Sequence, residues 1–295
     1  MRGFESEVCE MGNLLVLDIG GTYMKYGTAD EHGSLIRETV RQCPSHAEED
    51  AGAFFDALRT IISDWGEGAE KACVSIAGPF DFDGGISLMK HKFASLYGLS
   101  LRAPFEERGL PVSFLHDSTA FMLGEYWDGS LKNAKNACCM MLGTGLGFAW
   151  EKDGRVCVNG KQAPALSLWN MPYLDGIAED YVSTRAIQRY YGKTLPVRDI
   201  AEEARGGEAA ACAAFREAGV HLSALLEQLI ARLGCERFAL GGQIAKSADL
   251  FCLSLPIPWA VTAHPEETAL MGACRYAALG REKCVKETPL SFAAI

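Results

Sequence analysis

One pattern occurs twice in this chain of 295 residues and constrains its fold more than any other feature. The apolar run Leu14–Ile19 leads into Gly20-Gly21-Thr22, then a second strand-like stretch and an acidic turn closed by glycine. The same succession begins at Ala137–Leu142 and leads into Gly143-Thr144-Gly145-Leu146-Gly147. Short, continuous apolar runs are typical of strands buried on both faces. The repeat therefore predicts an internal duplication, with two lobes that each open with a β-hairpin carrying a glycine turn.

The remaining segments predict an α/β protein without a Pro- or Ser-rich linker. Further buried strands are expected at Lys71–Ala77, Val112–Leu115 and Phe238–Leu240. Helical periodicity is found at Ala47–Trp65, Gly176–Tyr191, Val197–Arg205, Glu208–Leu233 and Thr268–Leu279. We expect an N-terminal lobe at 1–120, a larger C-terminal lobe at 121–278, and a tail at 279–295 that returns to the N-terminal lobe.

Charge and hydropathy exclude several classes of protein. The net charge is −10 and no block of Lys or Arg occurs, which argues against a nucleic-acid surface. No apolar run reaches the roughly 18–20 residues of a membrane span, and the acidic start lacks an apolar signal core. We therefore expect a cytoplasmic protein without a membrane or nucleic-acid partner.

The eleven cysteines form no C-x-C or C-x-x-C pair and mostly lie among apolar residues. Zinc sites and disulfide frameworks need clustered or regularly spaced cysteines. The sequence predicts reduced, mostly buried thiols, no structural zinc and no disulfide framework.

The first glycine turn has the residue types of a phosphate site. Gly20 and Gly21 let the backbone approach an anion, and Thr22 adds a hydroxyl donor. Asp18 could hold Mg²⁺ through water, since this ion keeps several waters and takes one or two carboxylates. Lys25 could meet phosphate charge. The alternative is a β-turn with a capped aspartate.

Two further turns offer similar chemistry. Gly143, Thr144 and Gly145 follow a buried strand, and Gly241-Gly242 follows another before a helical segment. Neither the first nor the second turn has the spacing of a P-loop or a dinucleotide fingerprint. Three glycine turns at strand ends nevertheless favour a nucleotide that lies across a cleft between the lobes.

Asp117 directly follows the strand Val112–Leu115 and His116, and it precedes a helical stretch. Ligands of α/β sheets bind at the carboxyl ends of strands, and a carboxylate there can accept the proton of an attacking hydroxyl. Asp117 is therefore the candidate general base; the alternative is a helix N-cap, a role that Ser118 could fill instead.

From about Asn13 to Leu279, the chain resembles the ROK family (repressors, open reading frames, kinases) of the actin, hexokinase and heat-shock ATPase superfamily. The resemblance rests on the first and second phosphate motifs, the adenosine motif at Gly241-Gly242, and His116-Asp117, where the family has Asn-Asp. It implies a two-lobed, actin-like (ribonuclease H-like) α/β fold with a mixed sheet flanked by helices in each lobe and a cleft between them. It also implies ATP and Mg²⁺ as cofactors. The implied contacts to a sugar substrate are Gly78, Pro79, His116, Asp117, Asn170 and Glu179.

The chain departs from the family in the sugar site. Ser167 and Asn170 stand where the family has a Glu and a His that contact the sugar, and the zinc-binding cysteines are missing. His116 could contact the sugar or orient Asp117. Trp169 is interpreted as packing under its loop rather than stacking on a sugar. Lys90, His91 and Lys92 are interpreted as a solvated face rather than a contact to an anionic substrate.

The sequence thus predicts an ATP-dependent kinase of a sugar or sugar derivative, with Asp117 as general base. A sugar-binding sensor of the same fold without turnover is the alternative. An ATPase or a carboxylate kinase of the superfamily is a further one. A transcriptional repressor of the family would carry a DNA-binding domain before the first glycine motif. Only 13 residues precede the strand of this motif, so we do not expect a repressor. Family members are often dimers, and the apolar helices could supply a homodimer interface.

Overall fold

A computed structural model describes residues 13–90 and 92–290 of the chain. The first residues of the predicted N-terminal lobe (1–12, with Cys9), His91, and residues 291–295 of the predicted tail lie outside the described residues.

The strands of the described residues are β1 (Leu14–Ile19), β2 (Tyr23–Ala29), β3 (Leu35–Pro44), β4 (Lys71–Ile76), β5 (Phe80–Asp81), β6 (Ile86–Ser87), β7 (Val112–His116), β8 (Asn136–Leu142), β9 (Leu146–Lys152), β10 (Arg155–Val158), β11 (Pro172–Tyr173), β12 (Gly176–Ile177), β13 (Arg237–Gly241), β14 (Trp259–Val261) and β15 (Val285–Glu287).

The α-helices are α1 (Ala51–Trp65), α2 (Ala103–Glu106), α3 (Asp117–Asp128), α4 (Glu179–Val182), α5 (Thr184–Tyr191), α6 (Val197–Arg205), α7 (Ala209–Leu233), α8 (Thr268–Leu279) and α9 (Arg281–Cys284). Two 3₁₀ segments lie at Ala94–Leu96 and Gln243–Leu250. None of these helices is long and apolar enough to cross a membrane.

The chain divides into two compact units. Unit 1 contains the residues up to Ala120 together with Ala269–Glu282. Its main sheet has the order β3-β2-β1-β4-β7, in which β1 and β2 form the predicted hairpin and β1, β4 and β7 are parallel. Leu14, Leu15, Val16 and Leu17 are at most 2% exposed, so β1 is a central strand buried on both faces. The apolar run at 14–19 is thereby explained.

Unit 2 contains Phe121–Thr268 together with the residues from Lys283 onward. Its main sheet has the order β14-β13-β8-β9-β10-β15. Strand β8 pairs antiparallel with β9 and parallel with β13, and β13 pairs parallel with β14. The five strands β10-β9-β8-β13-β14 thus repeat the pairing of β3-β2-β1-β4-β7. This repetition confirms the mixed sheet predicted for each half of the molecule.

The division differs from the expected lobes near the C terminus. Residues 269–282 belong to unit 1 rather than to the C-terminal lobe. Helix α8 packs so closely on α3 that a Cβ at Gly272 would lie 1.7 Å from the carbonyl oxygen of Ala120. Residues 285–287 form β15, which extends the sheet of unit 2 by pairing with β10, so this part of the tail does not return to unit 1. A three-residue strand has too little periodicity to be recognised in a sequence.

The helix predicted for Gly176–Tyr191 is wrong in part. Gly176–Ile177 is a strand, and the helical turns α4 and α5 are separated at Ser183, whose backbone is extended (φ −92°, ψ −178°). The residues on both sides of this break are held by hydrogen bonds to the second glycine turn, as described below. Tertiary contacts override the helical periodicity here.

Candidate active site

The carboxyl ends of three parallel strands gather the predicted site residues of unit 1. The register pairs Asp18 on β1 with Ser75 on β4, and Ile76 on β4 with His116 on β7. Asp117 follows directly as the first residue of α3. The sheet edge therefore brings together Asp18 and the His116-Asp117 pair, as ligand sites of α/β sheets do.

Asp117 is held by its neighbours through one of its two carboxylate oxygens. Its Oδ1 lies 2.8 Å from His116 Nδ1 and accepts the Ser118 N–H (2.6 Å) and the Ser118 hydroxyl (3.2 Å). The side chain of Asp117 remains 44% exposed. The hydrogen bonds of the described residues thus orient the carboxylate and leave Oδ2 for a ligand. A bond to the N–H of the next residue is not the usual N-cap pattern, in which the acceptor reaches the second or third residue of the helix.

The two carboxyl groups of this edge have opposite pKa shifts. Burial raises the pKa of Asp18 to about 6 against the hydrogen bond from Ser75 (2.8 Å), and the negative charge of Asp117 adds to the increase. Partial burial also opposes ionisation of Asp117, but the His116 ring, the charge of Lys92 and the Ser118 N–H together lower its pKa to about 2. Asp117 is therefore a carboxylate at every physiological pH, whereas burial disfavours the charged form of Asp18.

The segment predicted to line the sugar site lies against the same pair. The Gly78-Pro79 peptide bond is cis, and a Cβ at Gly78 would lie 3.2 Å from Nε2 of His116. The imidazole ring of His116 is 17% exposed. His116 therefore orients Asp117 through Nδ1 and packs against Gly78 on its Nε2 side, so its two interpretations from the sequence are compatible.

Within the first glycine turn, the Gly20 N–H donates to the carbonyl of Tyr23 (2.9 Å) and closes the turn. The carbonyl of Gly21 accepts the Ser45 hydroxyl (2.5 Å), and the carbonyl of Thr22 accepts the Ser45 N–H (3.0 Å). Ser45 thus stabilises the turn through its two carbonyl groups, while the side chain of Thr22 is exposed. On β2, Lys25 is paired in register with Asp18.

The second glycine turn lies in unit 2 and is held more extensively. The Gly143 N–H donates to the carbonyl of Gly145 (3.1 Å). The Leu146 N–H donates to Oε2 of Glu179 (2.9 Å), and the N–H and hydroxyl of Thr184 both donate to the carbonyl of Gly143 (3.0 Å each). Thr144 at the tip of the turn is exposed.

The Gly241-Gly242 turn packs against the end of β8. Gly242 has φ +85°, and a Cβ there would lie 2.2 Å from the carbonyl oxygen of Leu142. A Cβ at Gly241 would lie 2.2 Å from the ring of Phe121. Only glycine fits these two positions, and their close packing places the third predicted turn beside the second one within unit 2.

The segment that departs from the family is anchored by alternate residues. Leu166 and Leu168 are 3% and 1% exposed, while Ser167 and Asn170 are exposed. Trp169 is 44% exposed, so the interpretation that it packs under its loop is wrong; its neighbours Leu168 and Met171 are buried instead.

Glu179, a predicted sugar contact, is not a free carboxylate. Besides accepting the Leu146 N–H, it forms an ion pair with Arg185, whose Nη2 lies 3.1 Å from Oε1 of Glu179 and 2.8 Å from Oδ1 of Asp180. Glu179 therefore belongs to the structure of the second glycine turn, whatever else it contacts.

Sequence reasoning missed several residues of these sites. Lys92 is exposed, as its interpretation as part of a solvated face predicts, but its positive charge also lowers the pKa of Asp117. Glu48 accepts the Phe93 N–H (3.0 Å) and lies 3.4 Å from the Cβ position of Gly21. The position of Ser75, opposite Asp18 on the adjacent strand, could have been found from the alignment of two buried runs; the other two depend on loop conformation.

Sequence comparison matches the chain to the ROK family model and to sugar kinases. The model described as the ROK family matches residues 14–165, about half of the chain. A glucokinase of Streptomyces coelicolor is 25% identical over 292 residues, which cover 81% of this chain and 84% of the relative. An N-acetyl-D-glucosamine kinase of Aliivibrio salmonicida is 26% identical over 65% of this chain and 71% of the relative. An uncharacterised Clostridium perfringens protein is 30% identical, but the match spans only half of either chain.

Solved structures share the fold at low identity. A ROK family glucokinase from Streptomyces griseus, in complex with glucose and AMPPNP, has a TM-score of 0.71 at 23% identity, over 89% of this chain and 98% of that one. A ROK family transcriptional regulator, a homologue of the E. coli MLC protein, has a TM-score of 0.73 at 18% identity, over 90% and 80%. These likenesses confirm the actin-like ATPase fold predicted from the sequence.

Proposed function

Because the chain belongs to the ROK family, we propose that it is an ATP-dependent kinase that phosphorylates a hydroxyl of a sugar or sugar derivative. Relatives that cover most of the chain are sugar kinases. The observation that carries the proposal is the exposed, ionised and oriented carboxylate of Asp117 at the end of β7, on the same sheet edge as Asp18.

In this proposal Oδ2 of Asp117 accepts a hydrogen bond from the sugar hydroxyl that is to be phosphorylated. A pKa of about 2 makes Asp117 a weak base, but the transition state of phosphoryl transfer is loose, and positioning contributes most of the catalysis. The hydroxyl proton becomes strongly acidic once its oxygen bonds to phosphorus. A carboxylate of low pKa can then remove this proton. Before that step, Asp117 orients the hydroxyl oxygen toward the phosphorus atom.

The residues at Asp18 fit a hydrated Mg²⁺. Carboxylate oxygen is the ligand type that Mg²⁺ takes in proteins. The pKa of Asp18 is raised to about 6 chiefly by burial and further by the charge of Asp117, and a divalent cation would stabilise the charged form. Mg²⁺ bound there would neutralise phosphate charge. The residues proposed to contact the nucleotide are Asp18, Gly20, Gly21, Thr22, Lys25, Gly143, Thr144, Gly145, Gly241 and Gly242. The Gly20 and Gly143 N–H groups are already bonded within their turns, so for them this means a supporting role rather than a phosphate contact.

The proposed acceptor contacts are Gly78, Pro79, His116, Asn170 and Glu179, in addition to Asp117. A sugar-binding sensor without turnover is the second candidate. It is favoured by the uncharged Ser167 and Asn170, which remove two strongly polar contacts of the family pattern, and by the shared fold of a transcriptional regulator. The ionised Asp117 favours the kinase.

A coupled assay of ATP consumption over hexoses, amino sugars, N-acetylated sugars and polyols separates the two candidates. For a kinase, we expect ADP release that depends on one class of acceptor, with the phosphorylated product visible by mass spectrometry. For a sensor, calorimetry would show a sugar that binds without any ADP release, and this result would contradict the proposal.

The pKa values also predict a pH dependence. Asp18 loses its charge as the pH falls below about 6, so its contact to Mg²⁺ is lost in acid, whereas Asp117 stays ionised down to about pH 2. We expect kcat/KM for MgATP to fall by about tenfold per pH unit below pH 6, since this parameter reports the free enzyme. Asp18→Asn should lower kcat/KM and remove this decline. A wild-type profile that stays flat to pH 5, or a decline retained in Asp18→Asn, would contradict the assignment.

A further inference from the structure

Helix α4 and the start of α5 are each bound to the second glycine turn. The carbonyl of Gly143, the first residue of the turn, accepts both the N–H and the hydroxyl of Thr184. The N–H of Leu146, near the end of the turn, donates to Glu179. A Cβ at Gly145 would lie 3.1 Å from the same Oε2 atom of Glu179, so the carboxylate lies directly on the turn.

Arg185 holds Glu179 in this position. Its guanidinium group bridges Oε1 of Glu179 (3.1 Å) and Oδ1 of Asp180 (2.8 Å). The other oxygen of Asp180 accepts the Ile177 N–H (3.2 Å), which fixes Asp180 itself. The side chain of Glu179 is 14% exposed and that of Arg185 is 53% exposed. The carboxylate is thus packed at the turn, while the arginine is reachable from solvent.

The backbone break at Ser183 makes this arrangement possible. In a continuous helix, residues 179 and 184 would point in different directions, because five residues correspond to about 500° of rotation. The extended conformation of Ser183 separates α4 from α5. Glu179 and Thr184 can therefore both contact the turn at 143–146.

We propose that Thr184 and Arg185 are positioning residues for nucleotide binding: Thr184 fixes the beginning of the second glycine turn, and Arg185 fixes its end through Glu179. The inference rests on the proposed function, both for the nucleotide contact of the second glycine turn and for the link to the acceptor. An ionised carboxylate has about four lone-pair sites, so Glu179 can hold the turn and still accept an acceptor hydroxyl. Arg185 then affects the binding of both substrates, and Thr184 affects the nucleotide alone.

The first test measures binding of AMPPNP by calorimetry, which needs no turnover. Thr184→Val keeps the N–H and the shape of the side chain but loses the hydroxyl bond; we expect Kd to rise about 3- to 10-fold, as for one neutral hydrogen bond. Arg185→Ala should raise Kd by about tenfold or more.

Thr184→Ser and Arg189→Ala are the matched controls. Arg189 lies on the same helix and stacks on Tyr181 and Tyr190, and both controls should stay within about twofold.

The second test uses kinetics on an acceptor that supports turnover. Arg185→Ala should raise KM for ATP and for the acceptor, Thr184→Val should raise KM for ATP only, and guanidinium ions should restore part of the loss in Arg185→Ala because this side chain is half exposed. Thermal unfolding of each variant verifies that it is folded.

The outcomes separate the inference from the proposed function. A wild-type protein that binds AMPPNP but phosphorylates no acceptor refutes the kinase proposal, while the calorimetric comparison still decides the role of Thr184 and Arg185. Three results would overturn the inference. The first is an unchanged Kd for AMPPNP in folded Thr184→Val and Arg185→Ala variants, and the second is a change of the acceptor KM alone in Arg185→Ala. The third is a wild-type protein that binds no nucleotide.

Discussion

Asp117→Asn should lower kcat by about 10²- to 10⁴-fold, the usual contribution of a positioned general base, while the Kd for AMPPNP changes little. The asparagine oxygen can still accept the Ser118 N–H that now donates to Oδ1 (2.6 Å), so the local structure should persist. What is lost is the negative charge that orients the acceptor hydroxyl and takes its proton. Steady-state kinetics with ATP and the acceptor found in the screen measure the effect.

Asp128→Asn is the matched control for this variant. It makes the same change at the other end of α3, where Asp128 lies 3.4 Å from Lys132 and is exposed to solvent. Its kcat should stay within about twofold of the wild type, because exposed ion pairs contribute little. A folded Asp117→Asn protein with near-native kcat would refute the assignment of the base and leave Asp117 as an anchor of the helix start.

The central strands of both units could be predicted from sequence because their signal is local. Leu14–Ile19 was predicted with the bounds that the structure has, since a central strand must be apolar on both faces. Short edge strands gave no such signal. Val285–Glu287 is stabilised by pairing with β10, a contact between residues far apart in the chain.

In the candidate site, too, local features could be predicted from the sequence, whereas contacts between distant residues could not. The position of Asp117 followed from a strand end, a local feature, and the glycine turns followed from their composition. The ion pair of Glu179 with Arg185 could not be predicted, because a helix running through residues 176–191 would place both residues differently. The effect of Lys92 on Asp117 depends on the path of a loop between β4 and β7, which no periodicity describes.

Glu125 is a further residue whose environment could not be read from the sequence. It lies on α3 and is 0% exposed, although a carboxylate is rarely buried without partners. Its Oε2 accepts the N–H (2.9 Å) and the hydroxyl (2.6 Å) of Ser130. Its Oε1 accepts the hydroxyls of Thr262 and Thr268, the latter at 3.5 Å. One carboxylate thus joins α3, the residue that follows β14 and the start of α8 within unit 2.

Glu125→Ala should therefore lower the free energy of unfolding by about 3–5 kcal/mol, since it breaks a buried network and leaves several donors without an acceptor. Glu125→Gln keeps one acceptor oxygen but points an amide N–H₂ at hydroxyl and N–H donors, so we expect an intermediate loss of about 1–3 kcal/mol. Urea unfolding followed by circular dichroism measures both values.

The exposed Glu227 on α7 provides the control, because Glu227→Ala removes the same atoms without a buried network and should change the free energy of unfolding by less than about 0.5 kcal/mol. The essential result is that the free energy of unfolding increases from Glu125→Ala to Glu125→Gln to the wild type. A cavity alone would also make Ala the worst variant, but Gln fills the same volume as Glu and would then be neutral. A loss in Glu125→Gln above that of the Glu227 control therefore identifies the hydrogen bonds to the carboxylate, rather than packing, as the source of stability, and a neutral Glu125→Gln would contradict this account.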